Sequence, residues 1–154
     1  MKKLERIRAL LRNQSTLALA TTDERGNPHS APLFFVIDDD LNLYWYSSPM
    51  SAHSRYCAMH PRVSVSVYRP TDEWRKICGI QMDGMAIKVE DEAGRKVIES
   101  SYLLKFKLGP ATRIALKRST LYRFTPEWVR YLDNARRFGF RFEIEMRTTK
   151  SAFG

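Results

Sequence analysis

Five residues whose types suit anion binding lie close together between positions 44 and 55: Ser47, Ser48, Ser51, His53 and Arg55. The two first serines end an apolar run, and Ser51 precedes a short helical pattern that contains the histidine and the arginine. A helix N-terminus offers unpaired backbone N–H groups and the positive end of the helix dipole. Hydroxyl donors with one or two cations suit a phosphate monoester. The segment is typical of a phosphate-binding turn, and equally of a plain N-cap at Ser51 after an ordinary turn.

Other chemistry-bearing patterns are missing from the sequence. We find no Ser-His-Asp spacing, P-loop, GxGxxG or HExxH. The histidines at 29, 53 and 60 are scattered and have no carboxylates at ligand spacing, so no metal site is predicted. Cys57 and Cys78 form neither a CxxC pair nor a zinc-spaced cluster, and we expect two free buried thiols rather than a disulfide. No catalytic residue is predicted.

The elements that position the turn are mostly strands. Helical spacing predicts helices over 2–12, 52–60 and about 90–107, the last ended by Gly109 and Pro110. Alternation and turn signals predict strands over 16–21, 29–37, 43–47, 63–68, 77–89, 120–124 and 140–146, with a bulge at Gly84. Loops of hairpin length favour antiparallel pairing. About seven strands with three helices therefore predict a mainly β fold that closes into an antiparallel barrel.

Composition and charge narrow the class of protein. The chain of 154 residues is 44% apolar, which is ordinary for one globular domain over 1–154. No stretch approaches the roughly 20 apolar residues of a membrane helix. The N-terminal residues carry charges where a secretory signal would be apolar, so we expect a cytoplasmic protein.

The excess positive charge is concentrated in the last third of the chain. The net charge is +9, and residues 105–154 contain 12 basic and 4 acidic residues. A basic surface suits a polyanion. Residues 136–141 combine three arginines with two phenylalanines. Three interpretations stay open: a solvated turn that enters a strand, arginines that line the cofactor groove of the dimer partner, or an RNA surface.

Several short motifs occur in one order along the chain. They are the hairpin at 17–21 and 26–32, the serine-rich turn at 47–53, and the segments 60–65 and 81–86. Together they resemble the pyridoxamine 5′-phosphate oxidase-like family of FMN-binding split barrels. The segments 121–126, 131–134 and 138–140 resemble a little-characterised subfamily of it, so the resemblance covers nearly the whole chain.

The resemblance implies a split β-barrel and a homodimer that binds FMN at the subunit interface. It implies that Ser47, Ser48, Ser51 and His53 hold the phosphate and ribityl chain, with Arg55 as a helper. Segment 31–35, represented by Pro32, Leu33 and Phe34, would present backbone groups to the flavin ring, and Gln81 would reach the ring's polar edge. The implied function is a flavin-dependent reductase or oxidase of an unknown small molecule, with NAD(P)H as a donor.

The sequence also departs from the family pattern. The oxidases usually have Arg-Lys where Ala52-His53 stands, and their C-terminal Trp-Gln pair is replaced by Leu132-Asp133. The residues for pyridoxamine phosphate are not recognisable, so we do not expect that specific activity. The alternatives are haem or a deazaflavin in the same groove, with a histidine as axial ligand in the haem case. A further alternative is a non-catalytic module that binds a polyanion through its basic C-terminal third.

Overall fold

The computed structural model describes residues 2–146, which form eight strands and four α-helices. The helices are α1 (Lys3–Arg12), α2 (Ala52–Met59), α3 (Glu92–Phe106) and α4 (Pro110–Lys117). The strands are β1 (Thr16–Thr22), β2 (Pro28–Phe34), β3 (Val36–Ile37), β4 (Leu43–Ser47), β5 (Arg62–Tyr68), β6 (Cys78–Lys88), β7 (Thr120–Asp133) and β8 (Arg141–Glu145).

All strand pairs are antiparallel, and the sheet curls round on itself. The strand order is β2-β1-β5-β6-β7-β4-β3, and β8 adds to β7. Its two ends, β2 and β3, are consecutive in the chain and are interrupted only at Phe35. The segment 28–37 therefore pairs with β1 along its first part and with β4 along its last part. This is the split β-barrel that the sequence predicts.

Two groups of apolar side chains hold the barrel together. The interior contains alternate residues of the strands, among them Leu19, Trp45 and Phe124, which are fully buried. The apolar face of α1 joins this group. Helices α3 and α4 cover the outside of the barrel near Tyr44 with side chains such as Tyr102. Burial of each large apolar side chain contributes about 1.5–3 kcal/mol, so the sheet and its helical cover stabilise each other.

Strand β7 is much longer than predicted. The sequence predicts only residues 120–124, because Pro126 interrupts the pattern, but the strand continues to Asp133. Gly84 faces Pro126 whereas Asp83 faces Trp128, so one extra residue of β7 bulges out at the proline. A bulge tolerates the missing N–H of proline. The bulge predicted at Gly84 is confirmed.

A fourth helix follows α3, and the sequence analysis missed it. Gly109 and Pro110 end α3 as predicted, after Lys107 has taken a left-handed conformation, but Pro110 is also the first residue of α4. Proline is well suited to the first helical position because no N–H partner is needed there. The other predicted helices and strands are present, and Cys57 and Cys78 are free and buried. Within residues 2–146, no helix is long and apolar enough to cross a membrane.

Candidate functional site

The side chain of Ser47 lies at the end of a strand whose other inward residues fill the barrel. Leu43 and Trp45 alternate with Tyr44 and are fully buried in the interior. Ser47 follows on the same side of β4, at the point where the chain leaves the barrel. A tight turn then leads into α2, so that a hydroxyl from a strand and hydroxyls from a helix N-terminus meet.

Three predicted residues of this turn make direct contact. The Nε2 atom of His53 lies 2.5 Å from the Oγ atom of Ser47 and 3.2 Å from the Oγ atom of Ser51. The two serine oxygens are 3.2 Å apart. We call Ser47, Ser51 and His53 the phosphate turn. The structure therefore brings together two hydroxyls and an imidazole over a few ångströms.

Ser51 also caps α2, as predicted. Its Oγ atom accepts a hydrogen bond from the backbone N–H of Ser54 at 3.3 Å and lies 2.8 Å from the carbonyl oxygen of Ser48. It is 2.7 Å from the Oγ atom of Ser54. A hydroxyl has one proton, so Ser51 can donate to only one of these two oxygens at a time. The same side chain thus caps α2 and lies beside Ser47 and His53.

The charge of the phosphate turn depends on His53 alone. Burial lowers the pKa of His53 below its ordinary value, so the imidazole is neutral at pH 7. Arg55 does not join the cluster, since its exposed side chain turns back and donates to the carbonyl oxygen of Met50 at 2.7 Å. The hydroxyl of Ser48 likewise stays within the turn, where it accepts from the N–H of Met50 at 3.2 Å. No acidic residue lies in the first turn of α2.

The segment predicted to face a flavin ring lies beside α2. Helix α2 contacts β1 and β2, and the rings of His29 and Tyr56 are 4.8 Å apart. Along β2, Pro32 and Phe34 are exposed on the outer face, whereas Leu33 packs against the interior. At Leu33, therefore, a molecule outside the barrel would meet the backbone rather than the side chain.

Gln81 lies on the outer face of the barrel, away from the phosphate turn. The register aligns Pro32, Ala18, Ser66, Gln81 and Arg130 in one row across five strands. Two strands therefore separate Gln81 from Pro32. Among the described residues, no hydrogen bond joins Gln81 to the phosphate turn, and its Oε1 atom is 3.4 Å from the Nη1 atom of Arg130.

A shallow groove runs along this outer face. Two adjoining cavities of about 330 and 410 Å³ share Ser66, Gln81 and Arg130. The floor is made of small side chains such as Ala18 and Ala20. Arg130 was not predicted as a groove residue, because the predicted strand ends before Pro126. If the alternation is continued beyond the proline, Arg130 falls on the outer face.

Lys105 is a second charged residue that the sequence did not single out. Its Nζ atom donates to the carbonyl oxygens of Gln14 at 2.7 Å and Phe35 at 2.9 Å, at the point where β2 gives way to β3. Burial lowers its pKa from 10.5 to about 8. The ammonium also lies 4.4 Å from the centre of the Phe35 ring. Lys105 thus fastens α3 to the split of the barrel, and no local sequence signal marks it.

Comparisons with known proteins agree with this fold. The family model described as pyridoxamine 5′-phosphate oxidase matches residues 4–133. A conserved hypothetical protein from Mycobacterium tuberculosis shares 19% identity with a TM-score of 0.77, over 88% of this chain and 87% of that one. A haem-binding protein from Mycobacterium smegmatis shares 17% identity with a TM-score of 0.78, over 94% and 58% respectively. The haem storage protein of Vibrio cholerae shares 21% identity with a TM-score of 0.69, over 82% and 92%.

All three structures share less than 25% sequence identity with this chain, so the comparisons show its fold and not its ligand. No curated protein matches the chain in sequence. The family model matches the chain in sequence from α1 to the last residue of β7, a range that includes the phosphate turn. The chain belongs to the pyridoxamine 5′-phosphate oxidase family.

Proposed function

We propose that the protein is a flavoprotein that binds FMN, with the cofactor phosphate on the phosphate turn. The observation that carries the proposal is the convergence of Ser47, Ser51 and His53 within 2.5–3.2 Å at the N-terminus of α2. Short hydroxyl donors, free backbone N–H groups and an imidazole fit a phosphate monoester. Carboxylates, which would repel it, do not occur in the first turn of α2.

The state of His53 fits a phosphate better than it fits a neutral ligand. The imidazole is neutral while the turn is empty, because burial disfavours its charged form. A phosphate dianion beside Nε2 favours the charged form, so binding is accompanied by proton uptake. One titratable cation thus takes the place of the permanent Arg-Lys charges that are common in this family.

Bound FMN supplies hydride chemistry at its ring, and the protein's own contribution is to bind and orient it. Within residues 2–146, no carboxylate is hydrogen-bonded to His53, so the Ser47–His53 pair lacks the third member of a hydrolytic triad. The flavin ring would lie along the backbone of segment 31–35, beside α2. We further propose a reductase or oxidase activity on a small molecule, with NAD(P)H as the electron donor.

A second copy of the chain would complete the cofactor site. Within one chain, Gln81 lies two strands away from Pro32, so it cannot reach a ring that lies along β2 of the same copy. The outer face around Gln81 is shallow and floored by small side chains, which permits close approach of another sheet. If Gln81 of a second copy faces the flavin, its neighbour Arg130 comes with it, and the guanidinium of Arg130 lies 2.9 Å from the carboxylate of Glu143. The proposed homodimer would therefore bring hydrogen-bonding groups to the groove rather than a net positive charge.

Absorbance spectroscopy of the purified protein tests the proposal. We expect oxidised flavin bands, or their appearance with saturable binding when FMN is added to colourless protein. The double variant S51A/H53A should bind FMN more than about tenfold more weakly, because about 1.4 kcal/mol or more of phosphate contacts is lost. The matched control S100A, an exposed serine on α3, should bind FMN like the wild type.

Two results would refute the cofactor assignment. One is a Soret band and tight haemin binding by protein that does not bind FMN. The protein would then be a haem-binding member of the fold. The other is FMN binding that S51A/H53A does not weaken, which would place the phosphate elsewhere.

A further inference from the structure

Two loops meet where β6 begins and β7 ends, and together they form one surface. Residues 69–77 connect β5 to β6, and residues 134–140 connect β7 to β8. Asn134 joins them through two hydrogen bonds of 2.9 Å. Its Nδ2 atom donates to the carbonyl oxygen of Trp74, and its backbone N–H donates to the carbonyl oxygen of Ile77. Its Oδ1 atom also accepts from the N–H of Gly139 at 3.0 Å. One side chain thus fixes both loops.

Large aromatic side chains are exposed on this surface. Trp74 is 55% exposed, Phe138 74% and Tyr68 60%, although apolar residues of this size are usually buried. The rings of Trp74 and Phe138 meet edge to face, with their centres 5.4 Å apart. The two rings thus lie at right angles to each other, and both side chains remain mostly exposed.

Positive charge surrounds these rings. The two loops and the adjoining start of β8 carry five exposed arginines: Arg69, Arg75, Arg136, Arg137 and Arg141. None has a carboxylate within ion-pair distance in the part of the chain that the structure describes. Glu73 is already paired with Lys76. The guanidinium of Arg75 lies 4.8 Å from the centre of the Trp74 ring. We call these five arginines, with Tyr68, Trp74 and Phe138, the arginine–aromatic surface.

We propose that the arginine–aromatic surface binds single-stranded nucleic acid. Open aromatic faces stack on unpaired bases, and unpaired arginines neutralise the phosphates between them. A duplex hides its base faces, so the exposed rings favour a single strand. Unpaired charge on this scale requires a polyanion rather than an apolar partner. None of these residues belongs to the phosphate turn, although Tyr68 and Arg141 also line the outer groove beside Gln81 and Arg130.

Fluorescence anisotropy with labelled oligouridine and oligothymidine of about 20 nucleotides tests the proposal. We expect both to bind more tightly than a duplex of the same length, and a preference between them would separate RNA from DNA. Binding should weaken steeply between about 50 and 200 mM salt. Quenching of tryptophan fluorescence on binding should be largely lost in W74A, because Trp45 is buried in the barrel and Trp128 is only partly exposed on its outer face.

Variants separate stacking from charge. W74A should weaken binding about tenfold with little change in salt dependence, because one stacked base is lost. R136Q/R137Q should lower the slope of log affinity against log salt by about 1.4 for a single strand. The controls are L104A, an exposed apolar residue on α3, and R25Q, an exposed arginine in the β1–β2 turn; both should bind like the wild type. Thermal unfolding confirms that each variant is folded.

Several results would overturn the proposal. If R25Q weakens binding as much as R136Q/R137Q and W74A has no effect, the binding is a property of net charge alone. If R136Q/R137Q instead lowers FMN affinity, these arginines belong to the cofactor groove. If W74A changes the oligomeric state and not the affinity for oligouridine, the surface is an interface between copies of the chain. Failure of FMN binding leaves this proposal standing, because its readout contains no cofactor.

Discussion

Replacing His53 by glutamine should weaken FMN binding about tenfold near neutral pH. His53 lies 2.5 Å from Ser47 and 3.2 Å from Ser51, so its Nε2 atom is at the centre of the phosphate turn. A charged donor to phosphate contributes about 1.5–3 kcal/mol, whereas a neutral amide contributes about 1 kcal/mol. The difference of about 0.5–2 kcal/mol corresponds to a factor of roughly 2–30 in Kd.

The same variant should also lose a pH dependence. Burial lowers the pKa of His53 in the free protein, and a bound phosphate dianion raises it. Protonation is therefore linked to binding, and wild-type affinity should rise as the pH is lowered from about 8 toward 6.5, where His ordinarily titrates. His53→Gln should lose this rise over the same range, because glutamine does not titrate and only the ligand phosphate, with a second pKa of about 6, still does.

Quenching of flavin fluorescence during titration measures both effects, with circular dichroism as a check of folding. His60→Gln is a suitable control, since His60 is exposed at the end of α2 and should leave both the affinity and the profile unchanged. The reasoning is refuted if His53→Gln keeps the wild-type affinity and its pH profile.

Two further predictions concern the barrel. Gly84→Ala should lower the free energy of unfolding by about 2 kcal/mol or more, because a Cβ at position 84 would lie 2.1 Å from the carbonyl oxygen of Thr125 at the bulge. In the control variant Gly109→Ala, no atom lies within 4 Å of the new Cβ, so the free energy of unfolding should change little. If Gly84→Ala and Gly109→Ala lower it equally in urea denaturation, this account of the bulge is contradicted. Folding lowers the pKa of Lys105 from 10.5 to about 8. Between these two pH values the unfolded chain binds more protons than the folded protein, so the free energy of unfolding of the wild type should rise with pH over this range. Lys105→Met should lack this rise when denaturation is compared at several pH values, and parallel curves for the two proteins would rule out a buried ammonium.

The phosphate turn could be predicted because its signals are local. A serine just before a helix pattern predicts an N-cap, and alternation along β4 predicts that Ser47 follows the buried side of the strand. The side chain of Arg55 reaches back to the carbonyl oxygen of Met50, and its helping role stays a prediction. A contact between a side chain and a nearby carbonyl leaves no pattern in the sequence.

The relation between Gln81 and the phosphate turn could not be predicted for a different reason. Gln81 and Pro32 are placed by the register of four paired strands, which depends on the whole barrel. Arg130 was missed because Pro126 interrupts the strand pattern, and only the opposing Gly84 reveals that a bulge accommodates it. Lys105 is positioned by the docking of α3 over the split between β2 and β3.

The comparison of FMN with riboflavin tests most directly whether the phosphate turn holds the cofactor. The two ligands share the ring and ribityl chain and differ by the phosphate. We predict that the wild type binds FMN at least about tenfold more tightly than riboflavin, and that S51A/H53A reduces this preference toward unity. Equal affinities for the two ligands in the wild type, or a preference for FMN that survives in S51A/H53A, would contradict it.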